Sequence, residues 1–351
     1  MDRCGSNGRG VMDEVDIARQ PNQNIASDSV DARPDGNASG RRTQAESIPT
    51  SSIVLPNPGV SRDAEEYFMG NRERGVALII SHEKFDVRQY ADGNYRPKDR
   101  LGTKVDRDAL RDMFTSLGFR VLCFDDLCHY QIRDELRRVA DQNHSNRDCV
   151  AVAVLTHGER NGQLDARDRE YNVSELWQPF TARLCPTLAG KPKLFFIQAC
   201  KGTDTDAGVM VSDLTTDAPD SGYAEEVTYP VPSYADIIVS YSTFEGLYSF
   251  RNPTKGSWYV ETLCSQLETH GRSKDLVSVL TDVNRIVGQR YRSENKSLPQ
   301  LHGKVQAPCF TSSLTRSLCF GHRGHGHPQC SSHDVYRKKP RSTHINAENI
   351  S

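Results

Sequence analysis

The sequence predicts an α/β fold, an open and mainly parallel six-stranded sheet with helices on both faces. Three observations carry this. Short, continuous apolar runs recur through the middle of the chain, as strands buried on both faces require. Stretches with apolar residues at helical spacing separate them. Strands joined through helices lie parallel and side by side, with their connections crossing the faces of the sheet.

Val76–Ile80 is the first apolar run. Val105–Leu117 then sets Leu110, Met113, Phe114 and Leu117 on one helical face. Phe119–Phe124 is the second strand, and Ile132, Leu136 and Val139 mark the next helix. Cys149–Leu155 and Leu194–Ile197 are two more buried strands, and Ile237–Val239 opens a fifth. Trp258–Leu267 and Leu276–Val287 have helical spacing. A last strand is expected within Phe310–Phe320. In open sheets of this kind the working site lies beyond the carboxyl ends of the strands.

The two ends of the chain differ from this middle. Residues 1 to 64 are rich in Asn, Ser, Asp, Gly, Arg and Pro, and the first aromatic residue is Tyr67. Such a leader buries too little apolar area to offset its ordering entropy, so it is expected to be disordered. The tail over 321–351 has the same character, with five of the 11 histidines and a basic patch at Arg337–Arg341. Its histidine spacing fits no metal-ligand set, and a solvated extension is expected. Between Lys201 and Tyr234 the alternation also stops, in a stretch with five Asp and three Pro. A connection of that length inside a compact domain is more often functional than passive.

Composition excludes several classes. The formal net charge of the 351 residues is -2, which gives no general attraction for nucleic acid or an anionic membrane. No apolar run reaches the ~18 residues of a membrane-spanning helix, and the first 30 residues hold no secretion-signal core. The 10 cysteines are scattered without a C-x-x-C pair, which argues against a zinc site and a disulfide framework. No metal or other cofactor is expected, and the expected compartment is the reducing cytoplasm.

Chemistry is concentrated after two of the buried strands. One runs into Thr156-His157-Gly158 and the other into Gln198-Ala199-Cys200-Lys201-Gly202. If these strands are neighbours, His157 and Cys200 emerge together. A cysteine protease needs that pairing, because thiolate is the nucleophile and an imidazole protonates the leaving amine. Glycine beside each residue admits substrate backbone, and the N–H groups of Gly158 and Cys200 suit a developing oxyanion. Either residue alone reads as a buried small side chain or a turn histidine.

Together they resemble the caspase family, whose signature is Q-A-C-[RQG]-G with a histidine about 50 residues earlier. His157 lies 43 positions before Cys200, and Lys201 departs from the bracketed set. The resemblance continues through Arg74–Ile80, Arg100–Thr103, His157–Glu159, Tyr241–Thr243, Ser249–Asn252 and Gly256–Trp258. It implies an aspartate-specific cysteine endopeptidase of the apoptotic effector type, with Cys200 and His157 catalytic. Arg100, Arg251 and Gln198 would line the primary pocket, read as two cations without an acid. Tyr248, Phe250, Asn252 and Trp258 match residues of the outer subsites, with Phe250 in place of the usual tryptophan and Pro253 in place of a hydrogen-bonding residue. The Lys98 carbonyl would face the histidine.

The resemblance also implies a zymogen. The leader over 1–64 would be a propeptide and 65–320 the catalytic domain. A linker over about 203–233 would separate a large subunit, about 65–217, from a small one, about 221–320. Processing sites are expected after Asp217, Asp220 and Asp31. The partners implied are protein substrates, a second processed heterodimer, an upstream initiator caspase and caspase inhibitors. Three rivals stand beside this reading: a silent homologue that acts by binding an active caspase, a protease of the same fold preferring Arg or Asn, and a death-fold adaptor. The first should lack one of Cys200, His157, Arg100 or Arg251. The second should carry acids in place of the arginines. The third needs a longer, less polar amino-terminal region.

Overall fold

A computed structural model describes residues 64–90, 93–202, 206, 232–252, 254–294 and 299–321. Asp31, Asp217, Asp220, Pro253, the leader up to Asp63 and the tail from His322 lie outside the described residues. The expected α/β fold is present. Its strands are β1 (Glu73–Ser81), β2 (Arg120–Asp125), β3 (Arg147–Leu155), β4 (Lys193–Gln198), β5 (Ile237–Tyr241) and β6 (Cys309–Ser312). They form one sheet in the order β6-β5-β4-β3-β1-β2. The first five are parallel, and β6 runs antiparallel to β5 at one edge.

The helices are α1 (Thr103–Ser116), α2 (His129–Ala140), α3 (Trp258–His270) and α4 (Leu276–Arg290). Strand period divides the apolar side chains between two faces. Ala77, Ile79, Ala151, Ala153 and Phe196 pack against Leu110, Met113, Phe114, Leu263 and Val283 from α1, α3 and α4. Leu78, Ile80, Val150, Val152 and Phe195 pack against Ile132, Leu136 and Val139 of α2. The central runs carry no polar residue because both faces are covered.

The last strand occupies only the start of its expected range. Beyond Ser312 the chain is irregular, yet Leu318 and Phe320 are buried. Phe320 meets the edge of the Phe119 ring at 6.0 Å, and its carbonyl accepts from Arg74. The apolarity there reports burial against α1's end, with only a single bridge, Ser317 to Glu66, as pairing. Arg74 also donates to the Leu117 carbonyl and makes a fully buried ion pair with Asp148 at 3.0 Å. It ties the start of β1, the end of α1 and the closing segment together.

Three two-stranded ribbons have no apolar signature and escape a periodicity argument. They pair Arg88–Tyr90 with Gly93–Tyr95, Gln163–Asp165 with Glu170–Asn172, and Arg251–Asn252 with Gly256–Ser257. The last two flank the carboxyl ends of β3, β4 and β5. None of the helices among the described residues is long and apolar enough to cross a membrane.

Candidate active site

Strands β3 and β4 are neighbours, and their register fixes the site. Leu155 stands opposite Gln198. His157 and Cys200 each lie two residues further, so both leave the sheet at the same level and the same end. The Thr156 N–H donates to the Gln198 carbonyl at 3.1 Å, which carries the ladder one step past the strands. Gly158 then packs against the backbone of Cys200. A Cβ at position 158 would lie 2.3 Å from the Cys200 carbonyl oxygen and 3.0 Å from the Ala199 Cβ. Only glycine lets the two segments meet so closely.

His157 is oriented by two groups. Its Nε2–H donates to the Lys98 carbonyl at 2.7 Å, the arrangement expected from the sequence. A carbonyl only accepts, so the proton sits on Nε2 and Nδ1 is the basic nitrogen. The Phe85 ring lies against the imidazole with centroids 5.0 Å apart. Burial, countered by the Lys98 contact, lowers the His157 pKa to about 4. Burial also pushes the Cys200 thiol up, with the Ser249 backbone contact and Arg100 acting against it. The thiol faces the Ser249 carbonyl at 3.9 Å.

Both shifts favour the neutral forms, so the resting pair at neutral pH is a thiol beside an imidazole. Alkylation of Cys200 by iodoacetamide is therefore expected to climb steadily between about pH 6 and 9, as the thiolate fraction rises roughly tenfold per pH unit. A preformed thiolate–imidazolium pair would give a rate already level at pH 6. Mass mapping of the labelled cysteine distinguishes the two profiles. It must resolve Cys200 from the other seven free cysteines among the described residues.

The three expected pocket residues converge from three segments. Arg100 follows β1 and is 1 % exposed. Its Nη1 donates to the His82 carbonyl at 3.1 Å and to Thr103 Oγ1 at 2.9 Å. Arg251 Nε donates to the carbonyl of Leu101, the residue after Arg100, at 3.2 Å. Gln198 at the end of β4 is buried, and its Nε2 donates to Ser249 Oγ at 2.7 Å. Its Oε1 is buried with no partner among the described residues. Burial and then the Arg251 cation push Arg100 down to about 9, still cationic at neutral pH. Burial lowers Arg251 also. Two guanidinium groups held this way suit a carboxylate, which each can clamp with paired hydrogen bonds.

One acid is buried close to these arginines: Asp106 is 2 % exposed, and its Oδ1 accepts from the Ser257 N–H at 2.8 Å. Burial raises its pKa, while Ser257 and the two arginines lower it. It stands on the buried stripe of α1, with Thr103, Leu110, Met113 and Phe114. A charged residue on an otherwise core-facing stripe was the available signal.

The outer residues form a separate group. Phe250 stacks on Trp258 at 4.9 Å, and Trp258 on Tyr291 at 5.3 Å. Tyr291 was not singled out from sequence, since it follows α4 with no motif around it. Gln306, also missed, is 1 % exposed and accepts from the Phe250 N–H at 2.7 Å. Tyr248 is half-buried in the same segment. Asn252 is exposed, and its Oδ1 accepts from the N–H groups of Thr254 and Lys255. That oxygen is committed to its own turn. Lys201 is ion-paired with Glu245 at 3.0 Å and set over the Tyr241 ring.

No cluster of metal-ligating side chains occurs among the described residues. Comparison with known proteins agrees with the geometry. A family model described as "Caspase domain" matches residues 74–319. The chain is similar to Caspase-1 of Spodoptera frugiperda, 40% identical over 307 residues, covering 86% of this chain and 97% of that protein. It is 39% identical to Caspase drICE of Drosophila melanogaster over 287 residues, covering 81% of each. Caspase-6 of Bos taurus is 38% identical over 277 residues, 77% of this chain and 92% of that one. The crystal structure of Caspase-1 from Spodoptera frugiperda superposes with a TM-score of 0.68, covering 76% of this chain and 98% of that chain.

Proposed function

Because this chain belongs to the caspase family of cysteine endopeptidases, we propose that it cuts protein substrates after aspartate, as an apoptotic effector made as a zymogen. One observation carries the specificity. Arg251 reaches the backbone beside Arg100 at the same sheet end from which Cys200 and His157 emerge. In this reading the aspartate side chain enters between the two guanidinium groups and the Gln198 amide. Cys200 gives its proton to His157 Nδ1, and Sγ attacks the aspartyl carbonyl carbon. The N–H groups of Gly158 and Cys200 hold the oxyanion. The C–N bond breaks as His157 protonates the leaving amine. Water then cleaves the thioester, restoring the thiol and releasing the aspartyl carboxylate.

Tyr248, Phe250, Asn252 and Trp258 shape the outer subsites in the same reading. The test is a panel of tetrapeptide substrates varied at the first and fourth positions. Turnover confined to aspartate at the cleavage position is expected. Equal turnover of Asp, Asn and Glu peptides refutes the pocket. The intact set of Cys200, His157, Arg100 and Arg251 argues against a silent homologue, and the two arginines argue against a preference for basic residues.

Activation is assigned to the segment between Cys200 and Arg251. A cut there leaves a large subunit, about 65–217, with β1 to β4 and a small one, about 221–320, with β5, β6 and Arg251. The two halves stay joined because β4 pairs with β5. Leu214–Asp217 before Ala218 suits an initiator caspase, and Asp217–Asp220 before Ser221 suits an effector. Asp31 before Ala32 would release residues 1–31 of the leader. Mass spectrometry of activated protein is expected to find cuts after Asp217 or Asp220. The double variant Asp217→Ala, Asp220→Ala should stay inactive, and full activity in an uncut chain overturns the zymogen reading.

The active unit is proposed to be a dimer of such heterodimers, with β6 supplying the edge that a second copy covers. An initiator caspase upstream and caspase inhibitors are the further partners. The free thiols support the cytoplasm as its place of action.

A further inference from the structure

We propose that Asp106 is a positioning residue for the aspartate pocket, holding Arg251 in place opposite Arg100. The proposal rests on the pocket reading above and asks what sets the separation of its two cations. They arrive on different segments, Arg100 before α1 and Arg251 on the ribbon before α3, and on different subunits once the linker is cut.

The first turn of α1 touches both. Thr103 accepts from the Arg100 guanidinium at 2.9 Å. Three residues on, and so on the same side of the helix, Asp106 Oδ1 accepts from the Ser257 N–H at 2.8 Å. Ser257 is the ribbon partner of Arg251. The turn therefore grips Arg100 directly and Arg251 through one strand pair.

The approach is closely built. Gly256 has φ +91°, and a Cβ there would lie 2.5 Å from Asp106 Oδ1. The glycine lets the carboxylate reach the ribbon backbone. Asp106 is 2 % exposed, and its second oxygen has no partner among the described residues. A buried carboxylate on an apolar stripe is costly to retain for packing alone. A substrate carboxylate needs its two guanidinium groups at a fixed spacing, and a small misplacement of such a clamp is enough to cost activity.

The experiment compares Asp106→Ala and Asp106→Asn with the intact chain, after activation, on aspartyl and asparaginyl tetrapeptides. Alkylation of Cys200 by iodoacetamide is followed in parallel, because that small neutral reagent does not use the pocket. Asp106→Ala is expected to lower kcat/KM for the aspartyl peptide about tenfold to hundredfold, as loss of a buried hydrogen bond to a charged group does. The Asp-over-Asn ratio should fall with it, while the alkylation rate stays within about twofold. Asp106→Asn keeps an oxygen for the Ser257 N–H in the same volume and should restore most of the ratio. An unchanged ratio in Asp106→Ala, alkylation that falls in step with turnover, or an asparagine variant no better than alanine overturns the proposal. Failure of the pocket reading has a different signature: the intact chain itself would not prefer aspartate.

Discussion

Cys200→Ala is expected to remove peptidase activity by about 10⁴-fold or more while leaving the fold in place. The size follows from the chemistry. Without Sγ no thioester forms, and what remains is the acceleration given by substrate binding and the oxyanion donors, a small part of the total in nucleophilic proteases. The retained fold follows from the position. Cys200 lies past the end of β4, and its thiol makes a weak contact with the Ser249 carbonyl, at 3.9 Å. Removing one sulfur there leaves the β3–β4 register and the Gly158 contact intact, because both are backbone features. The thermal midpoint should move by no more than a few degrees. The variant should still bind an aspartyl peptide, since the pocket side chains are untouched. Turnover above a trace in pure Cys200→Ala protein would remove Cys200 from the role, and loss of peptide binding together with turnover would point to collapse of the site.

This part of the site was legible because it is written locally. Each reactive residue follows an unbroken apolar run, and such runs fall only to strands covered on both faces. Two parallel neighbours then bring equal offsets to one level, which is why His157 and Cys200 leave the sheet at the same end. Arg100, Gln198 and Arg251 became legible only through the family resemblance, as nothing in their spacing marks them. What stayed hidden is carried by long-range contacts of ordinary residues. Asp106 lies 151 positions from Ser257, and Gln306 lies 56 from Phe250. Gln306 has no local pattern, and Asp106 shows only as a charged residue on the core-facing stripe of α1. The short ribbons were equally silent. Arg251–Asn252 and Gly256–Ser257 are two residues each, too short for any period. The last strand was legible within Phe310–Phe320 but not its short length, because Leu318 and Phe320 beyond it are also apolar and buried, packed under Arg74 and Phe119.

Arg100 and Arg251 present two guanidinium groups to one substrate carboxylate. A neutral asparagine in the same place leaves a guanidinium without its counter-charge in a site where Arg100 is 1 % exposed. Buried charges tolerate such vacancies poorly, so rejection of neutral side chains is expected to be strong.

Arg251→Ala is accordingly expected to lower kcat/KM on aspartyl peptides by roughly a hundredfold or more, the range for truncating one member of a buried charged contact, about 2–5 kcal/mol. The loss should be selective. Once Arg251 is gone, one guanidinium remains to clamp the carboxylate, and the preference for aspartate over asparagine weakens. Turnover of asparaginyl peptides should change little, so the Asp-over-Asn ratio collapses from one side. Cys200 alkylation should be unaffected, because Arg251 is a minor influence on a thiol whose pKa is set by burial. Arg251→Lys should recover only a fraction. It keeps the charge but replaces the planar fork with a single ammonium, and it loses the Nε–H that Leu101 accepts at 3.2 Å. The measurement is kcat/KM for matched Asp and Asn tetrapeptides with each variant, on material whose active-site content has been titrated. An Arg251→Ala enzyme that keeps the ratio of the intact chain would place the aspartate elsewhere, and with it the pocket.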